Sequence, residues 1–213
     1  MIALKDLILK AKGSNEWDFS NSILYNLCRD SPKHNSSEII LVKIWIIGRC
    51  YAAAIERRKS NKDDINDDFY NFKVVPKMKN SNIDQWIEKC NSTKKKEDAL
   101  IAHKKLTNLF FELTELNKRS LASKYLHFHI PSLFYIYDSR VVSSIGKLNT
   151  LLKIKDIKEK KNMDVDDNYN MFYEKCERIV DKVSQEYGIK LTCRELDNLL
   201  IEFANEKQRK EIF

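Results

Sequence analysis

Glycine and proline are rare in this chain. Its 213 residues include four glycines and three prolines, the residue types that tight hairpin turns and strand bulges require. Leu, Ile, Lys, Glu and Ala dominate the stretches in which apolar positions recur, and these residues favour helices. The sequence therefore predicts an all-α fold. We expect a single helical domain over residues 1–213.

Apolar residues at helical spacing indicate where the helices lie. The first two are predicted at residues 2–11 and 20–30. A long core helix is expected at about 38–59, with Ser36 or Ser37 as its N-cap. Gly188 is the expected end of a helix over 167–187, and Thr192 and Glu195 form a capping-box pattern that opens another. The remaining predictions are a helix start in the acid-rich stretch 62–68, helices near 83–87, at 94–116 and from 117 to about 128, a helix beginning at Asp138, a hairpin and catalytic-type segment at about 95–148, a charged loop at about 153–168, and C-terminal helices over 169–213.

Neither a membrane span nor a secretory signal is expected. The longest apolar run, residues 39–55, is interrupted by Lys43 and Arg49 and is shorter than the ~20 residues that a bilayer crossing needs. The N-terminal segment carries Lys5 within its apolar stretch and has no small-residue cleavage site. The five cysteines are odd in number and form no CxxC pair, which favours free thiols over disulfides or a zinc knuckle. We therefore expect a cytoplasmic protein.

Positive charge is concentrated in one part of the chain. Lys and Arg number 38 against 31 Asp and Glu, which gives a formal net charge of +7. Residues 77–124 hold eleven basic and six acidic side chains, an excess of five. The basic balance predicts a polyanionic partner.

The most distinctive segment is ASKYLHFHIPSLFYIYDSRV, residues 122–141. It resembles the helix-hairpin-helix DNA glycosylases and is most similar to their 8-oxoguanine-glycosylase-like branch, with YIYDSRV as its most specific part. The similar part is about one tenth of the chain. The resemblance implies a helical domain of that type, which can form two lobes with a cleft between them. It also implies a protein that flips and excises a modified or damaged base of double-stranded DNA.

The resemblance gives Asp138 the catalytic role. Cleavage of a glycosidic bond builds positive charge on the sugar, which an ionised carboxylate stabilises. A lysine nucleophile, where the family has one, aligns with either Lys118 or Arg119. If it aligns with Arg119 the amine is absent, and we expect a monofunctional enzyme that uses water. We expect no cofactor, no metal ion and no obligate protein partner.

The other candidate site residues surround this acid in the sequence. On the resemblance, the DNA-binding side chains are Arg119, Lys124, His127, His129 and Arg140. The aromatic walls of the base pocket would be Phe134, Tyr135 and Tyr137.

Each of these residues also has a simpler interpretation. Asp138 can act only as the N-cap of the helix that follows it, accepting from the amides of Arg140 or Val141. The aromatic residues can fill a core, and the basic ones can be solvated. A metal site at His127, His129 and Asp138 has weak support from spacing alone.

The chain also departs from the family. The hairpin of these glycosylases normally carries glycines whose amides hold a DNA phosphate, whereas here no glycine occurs between Gly48 and Gly146. This favours an alternative function, a non-catalytic DNA-binding module on the same scaffold, for example in host defence. A protein–protein adaptor is a third alternative.

Overall fold

The computed structural model describes residues 4–57, 66–154 and 164–212. Within these ranges all regular secondary structure is helical and no strand occurs, which confirms the all-α prediction. No helix in the described part of the chain combines the length and apolar character that a membrane crossing requires.

The helices follow one another with short connections. The structure forms α1 (Leu4–Lys12), α2 (Asp18–Asp30), α3 (Ser37–Cys50), α4 (Asn66–Asp68), a π-helical segment (Phe69–Val74), α5 (Val75–Lys79), α6 (Ile83–Thr93), α7 (Lys96–Thr114), α8 (Arg119–His129), α9 (Ser139–Leu151), α10 (Asp167–Tyr187) and α11 (Cys193–Ile212).

The described chain divides into two compact units. The first contains α1 and α9 to α11, and the second contains α2 to α8 together with residues 164–166. The chain passes from the second unit to the first between Phe134 and Tyr135. The single domain predicted over residues 1–213 and the cleft expected from the resemblance stay predictions.

In the first unit, α11 packs against α1 and α9. Its core includes the fully buried side chains of Ile8, Leu148, Ile179 and Leu199. Tyr169 is buried as well, and its hydroxyl donates a hydrogen bond to the carbonyl oxygen of Tyr135 at 2.9 Å. This bond fixes the start of the segment that leads into α9.

In the second unit, α8 is enclosed on all sides. Helices α2, α3 and α7 pack against it, and every residue from 121 to 128 is buried. Several of these side chains are polar, and a buried polar group is stable only with hydrogen-bond partners. The contacts of α8 therefore decide much of the structure of this unit.

The predicted caps are confirmed. The hydroxyl of Ser36 accepts from the amide of Ile39 at 3.4 Å and opens α3. Thr192 and Glu195 bind each other's amides at 3.2 and 2.7 Å, as a capping box requires. Gly188 follows α10 with φ +66°, the left-handed conformation that glycine adopts at little cost.

The predicted length of the core helix was wrong. It ends at Cys50 instead of near residue 59, because Ala52 adopts a left-handed conformation with φ +50°. The amide of Ala53 then donates to the carbonyl oxygen of Gly48 at 2.7 Å, which closes the last turn. Of the helix start predicted at 62–68, residues 62–65 lie outside the described residues, and residues 66–68 form α4. Of the charged loop predicted at about 153–168, residues 155–163 lie outside the described residues, and α10 already begins at Asp167.

Four of the five cysteines are buried in the two cores, and none is in a disulfide. Burial raises the pKa of Cys28 and Cys193 to about 12 and that of Cys90 to about 11. Burial also raises the pKa of Cys176 well above its usual value. Cys50, at the end of α3, is the exposed one.

We expect alanine substitution to have opposite effects at the two glycines inside helices. A Cβ atom at Gly48 would lie 3.0 Å from the Cα of Ala54, whereas a Cβ at Gly146 in α9 would meet nothing within 4 Å. Gly146→Ala should raise the free energy of unfolding by roughly 0.5–1 kcal/mol, because alanine is the better helix former. Gly48→Ala should lower it by about 1–2 kcal/mol, because backbone must move. Urea unfolding of both variants measures the two free energies of unfolding. An equal increase in both variants would contradict the close contact between Gly48 and Ala54.

Candidate nucleic-acid interface and catalytic aspartate

The predicted site residues fall into both units. Asp138, Arg140, Tyr135 and Tyr137 belong to the first. The second contains the remaining ones, Lys118, Arg119, Lys124, His127, His129 and Phe134. Most of the basic candidates therefore belong to the second unit.

Lys124 is a buried cation in the middle of α8. The residue is 2% exposed, and its ammonium group donates to the carbonyl oxygen of Tyr51 and the hydroxyl of Ser120, both at 3.0 Å. The ammonium also lies 5.8 Å from the centroid of the Tyr51 ring. A buried charge needs such partners to be stable. Lys124 therefore anchors the residues that follow α3, and its predicted contact with DNA stays a prediction.

Lys118 contacts the same part of the chain. It is half-buried at the N-cap position of α8, and its ammonium group donates to the carbonyl oxygen of Arg57 at 2.5 Å. We call residues 51–57 the returning segment. Lys124 binds its first residue, Tyr51, and Lys118 binds its last residue, Arg57.

The returning segment borders an open cavity of about 510 Å³. Two arginines and one acid contribute to its lining. Arg49 donates to one carboxylate oxygen of Glu56 at 2.5 Å, and the hydroxyl of Tyr70 donates to the other at 2.5 Å. Burial raises the pKa of Tyr70 above its usual value, so this hydroxyl stays a donor. The full lining is Gly48, Arg49, Ala52, Ala54, Glu56 and Arg57.

Arg119 forms a nearly buried ion pair. Its Nε atom lies 2.7 Å from a carboxylate oxygen of Asp166, and the two side chains are 17% and 6% exposed. Its carbonyl oxygen accepts from Nε2 of the buried His103 at 3.2 Å, and burial lowers the pKa of that histidine to about 3. Asp166 therefore balances the charge of Arg119 within the protein.

His127 is buried and fixes the chain that follows α8. Its Nδ1 atom lies 2.7 Å from the carbonyl oxygen of Phe134, and its Nε2 atom lies 2.7 Å from the hydroxyl of Tyr25. A carbonyl only accepts, so Nδ1 carries the proton, and in the neutral ring Nε2 accepts from Tyr25. Phe134 itself is fully buried, which agrees with the core interpretation of this aromatic residue.

A hydrogen-bonded chain runs through the interior of the second unit. A carboxylate oxygen of Asp84 accepts from Nδ1 of His34 at 2.6 Å, and Nε2 of His34 accepts from the hydroxyl of Tyr125 at 2.6 Å. The ring of His129 stacks 5.3 Å from His34 and 5.2 Å from Tyr125. The sequence did not indicate these hydrogen bonds, because Asp84, His34 and Tyr125 come from three separate elements.

Burial keeps both of these histidines neutral. It lowers the pKa of His34 to about 4, with a further lowering from the nearby charge of Lys43. It also lowers the pKa of His129 well below its usual value. His127 and His129 are two positions apart on a helix and so do not share a face. Among the described residues, no three His, Cys, Asp or Glu side chains are grouped so that they could hold a metal ion.

In the first unit, Asp138 is the N-cap of α9. Its carboxylate accepts from the amide of Arg140 at 2.8 Å, which confirms the capping interaction, and the residue is half-buried. The guanidinium of Arg140 is exposed and donates to the side-chain oxygen of Asn205 at 2.6 Å. A helix N-terminus is a position that stabilises negative charge.

The aromatic residues before Asp138 differ in exposure. Tyr135 is buried, with its ring edge-to-face against Tyr173 at 4.8 Å. Tyr137 is half-buried, and its ring packs against Phe172 at 5.1 Å. Tyr137 is therefore the predicted pocket residue that has an accessible surface next to the acid.

Compared with known proteins, the chain matches no family model, no curated protein sequence and no solved structure.

We expect the protein to lose stability as the pH falls from about 6.5 to about 4. His34 is neutral in both states at pH 7. Below 6.5 the unfolded chain binds a proton at His34, whereas the folded protein does so only near pH 4. This one residue should reduce the free energy of unfolding by on the order of 3 kcal/mol across that range.

Urea unfolding at pH 7 and pH 5 tests this expectation. The variant His34→Gln lacks the titrating group. Between pH 7 and pH 5, its free energy of unfolding should therefore decrease less than that of the wild type, by on the order of 2 kcal/mol. Identical losses in both proteins would show that the folded protein does not resist protonation at His34.

Proposed function

We propose that this protein is a DNA glycosylase of the helix-hairpin-helix type, with Asp138 as its catalytic residue. The observation that carries the proposal is the position of this carboxylate within the YIYDSRV motif. It is fixed by the Arg140 amide at the N-terminus of a 13-residue helix and is half-buried, not sealed in a core. The half-buried ring of Tyr137 precedes it.

The chemistry needs a fixed negative charge next to the sugar. The bond between the sugar C1′ atom and the base nitrogen breaks, and the base leaves with the bonding electrons and takes up a proton. The cation that remains on the sugar is stabilised by the Asp138 carboxylate. Water then forms a bond to C1′, and its proton passes to the carboxylate and from there to solvent, which balances the proton that the base takes up from solvent. A carboxylate already held by an amide needs little reorganisation during this step.

The contacts of Lys118 favour water over an amine as the nucleophile. Its nitrogen donates a hydrogen bond to the carbonyl oxygen of Arg57. To attack the sugar, the nitrogen of Lys118 would have to be a neutral amine and would have to leave this hydrogen bond. The monofunctional form of the reaction is therefore the one we propose.

Three substitutions of Asp138 separate capping from catalysis. Asn and Ser both cap helices well, so Asp138→Asn and Asp138→Ser should unfold within about 0.5 kcal/mol of the wild type, whereas Asp138→Ala should lose about 1 kcal/mol. All three lack the carboxylate and should lose base release. The measurement is release from duplexes that carry 8-oxoguanine, uracil, alkylated purines or modified cytosines, together with urea unfolding.

Base release by Asp138→Asn at the wild-type rate would contradict the catalytic role. The matched control is Ser36→Ala, which removes the N-cap of α3 in the other unit. It should lose about as much stability as Asp138→Ala and retain base release.

Borohydride trapping tests the nucleophile. An amine nucleophile forms an imine with the sugar, which borohydride reduces to a stable protein–DNA adduct, whereas water leaves nothing to reduce. We expect no adduct with the wild type under conditions in which the base is released. An adduct that disappears in Lys118→Ala would instead assign the amine mechanism to Lys118.

One observation favours the non-catalytic DNA-binding module as a second candidate. The turn between α7 and α8 places Glu115, an exposed acid, in the left-handed conformation with φ +56°. An acidic side chain in that turn opposes the hairpin phosphate contact of the glycosylases, so DNA would be bound by other surfaces and without the arrangement that the catalytic family uses. In this case the wild type binds duplex DNA in a salt-dependent manner but releases no base from any of the substrates, and Asp138→Asn binds as tightly as the wild type.

A further inference from the structure

The cavity beside the returning segment has a net positive charge. Arg49 and Arg57 line it, and the ammonium of Lys118 is bound to the carbonyl oxygen of Arg57. Glu56 is the acid of this group, and its side chain is 8% exposed, against 49% for that of Arg49. The two arginines are therefore exposed to solvent, whereas the side chain of the acid is nearly buried.

The backbone around these cations is held in place before any ligand arrives. Gly48 allows Ala54 to approach α3 closely, and the amide of Ala53 closes the turn. Lys124 and Lys118 bind the carbonyl oxygens of Tyr51 and Arg57. A site that is ordered in advance binds its ligand with a smaller loss of conformational entropy.

The arginines offer the fork of donors that phosphate oxygens fit. Arginine binds phosphate through paired, charge-assisted hydrogen bonds. Glu56 orients Arg49 through one of its carboxylate oxygens. Arg57 is exposed and donates a long hydrogen bond of 3.4 Å to the carbonyl oxygen of Ala52.

An exposed aromatic ring lies next to this basic group. Trp45 is 47% exposed, and the guanidinium carbon of Arg49 lies 5.7 Å from the centroid of its ring. Trp45 and Arg49 are four positions apart on α3, so they share a face of the helix. Cationic side chains beside an exposed aromatic ring are the combination that binds a nucleic-acid strand, through its phosphates and through base stacking.

We propose that Arg49, Arg57 and Lys118 bind the sugar–phosphate backbone of DNA and that Trp45 stacks on a neighbouring base. This inference rests on the proposed DNA ligand and names the surface that binds it. In the glycosylases, amides of hairpin glycines contact the phosphate. In this protein, the side chains of Arg49, Arg57 and Lys118 make those contacts instead.

Binding of a fluorescent duplex with one unpaired base, followed by anisotropy over a range of salt concentrations, tests the surface. Arg49→Gln and Arg57→Gln should each weaken binding roughly fivefold at 0.15 M salt and should reduce the slope of log K against log salt by about 0.9. Trp45→Ala should weaken binding roughly tenfold without changing the slope, because it removes stacking but no charge.

Two further variants show whether charge is the cause. Glu56→Gln removes the acid but retains an acceptor for Tyr70, so it should tighten binding. Arg49→Lys retains the charge and should retain the salt slope. Arg29→Gln, at the end of α2, is the matched control that removes one arginine from the same unit, and it should bind as the wild type does.

Each outcome distinguishes the inference from the proposed function. If the wild type binds duplex DNA and releases base while Arg49→Gln and Arg57→Gln retain its affinity and slope, this surface is not the DNA site and the proposed function stands. If Arg57→Gln weakens binding while Asp138→Asn still releases base, the surface stands and the catalytic proposal fails. A wild type that shows no salt-dependent affinity for DNA, or that binds RNA of the same sequence more tightly, overturns the assignment of this surface to DNA.

Discussion

The hydrogen bonds of the Lys124 ammonium group determine the structure of the second unit around its candidate DNA surface. A buried ammonium is costly unless its donors are satisfied, and here the Tyr51 carbonyl and the Ser120 hydroxyl satisfy them. The chain after α3 must therefore turn back toward α8 to supply that carbonyl. This requirement explains why α3 ends early and why the arginines on either side of the turn face one cavity.

The local features of the fold could be predicted from the sequence because they depend on a few neighbouring residues. The caps at Ser36 and Thr192 and the end of α10 at Gly188 are of this kind. The end of α3 could not be predicted, because Ala52 is not a residue type that marks a left-handed turn. Its conformation is imposed by the contact between its neighbour Tyr51 and Lys124 of α8, which are 73 positions apart in the chain.

In the candidate site, too, some residues could be predicted from the sequence and others could not. Asp138 stands out in the sequence, and capping and catalysis are compatible roles for it, since both use a carboxylate held at a helix N-terminus. Arg49 and Arg57 were not singled out, although Arg49 interrupts a strongly apolar run beside Gly48. That interruption was a usable signal, because a cation within an apolar helix has to reach a surface or a partner. The hydrogen bonds that connect Asp84, His34 and Tyr125 could not be predicted in this way, because these three residues have no regular spacing along the sequence.

The distribution of the cysteines gives this protein a built-in position for a probe. Four thiols are enclosed in the two cores, and burial holds their pKa values far above neutrality. Only a thiolate attacks a maleimide readily. Cys50 is exposed and stands between Arg49 and the returning segment. A fluorophore can therefore be attached at this single position in the native sequence, directly beside the surface that we propose binds DNA.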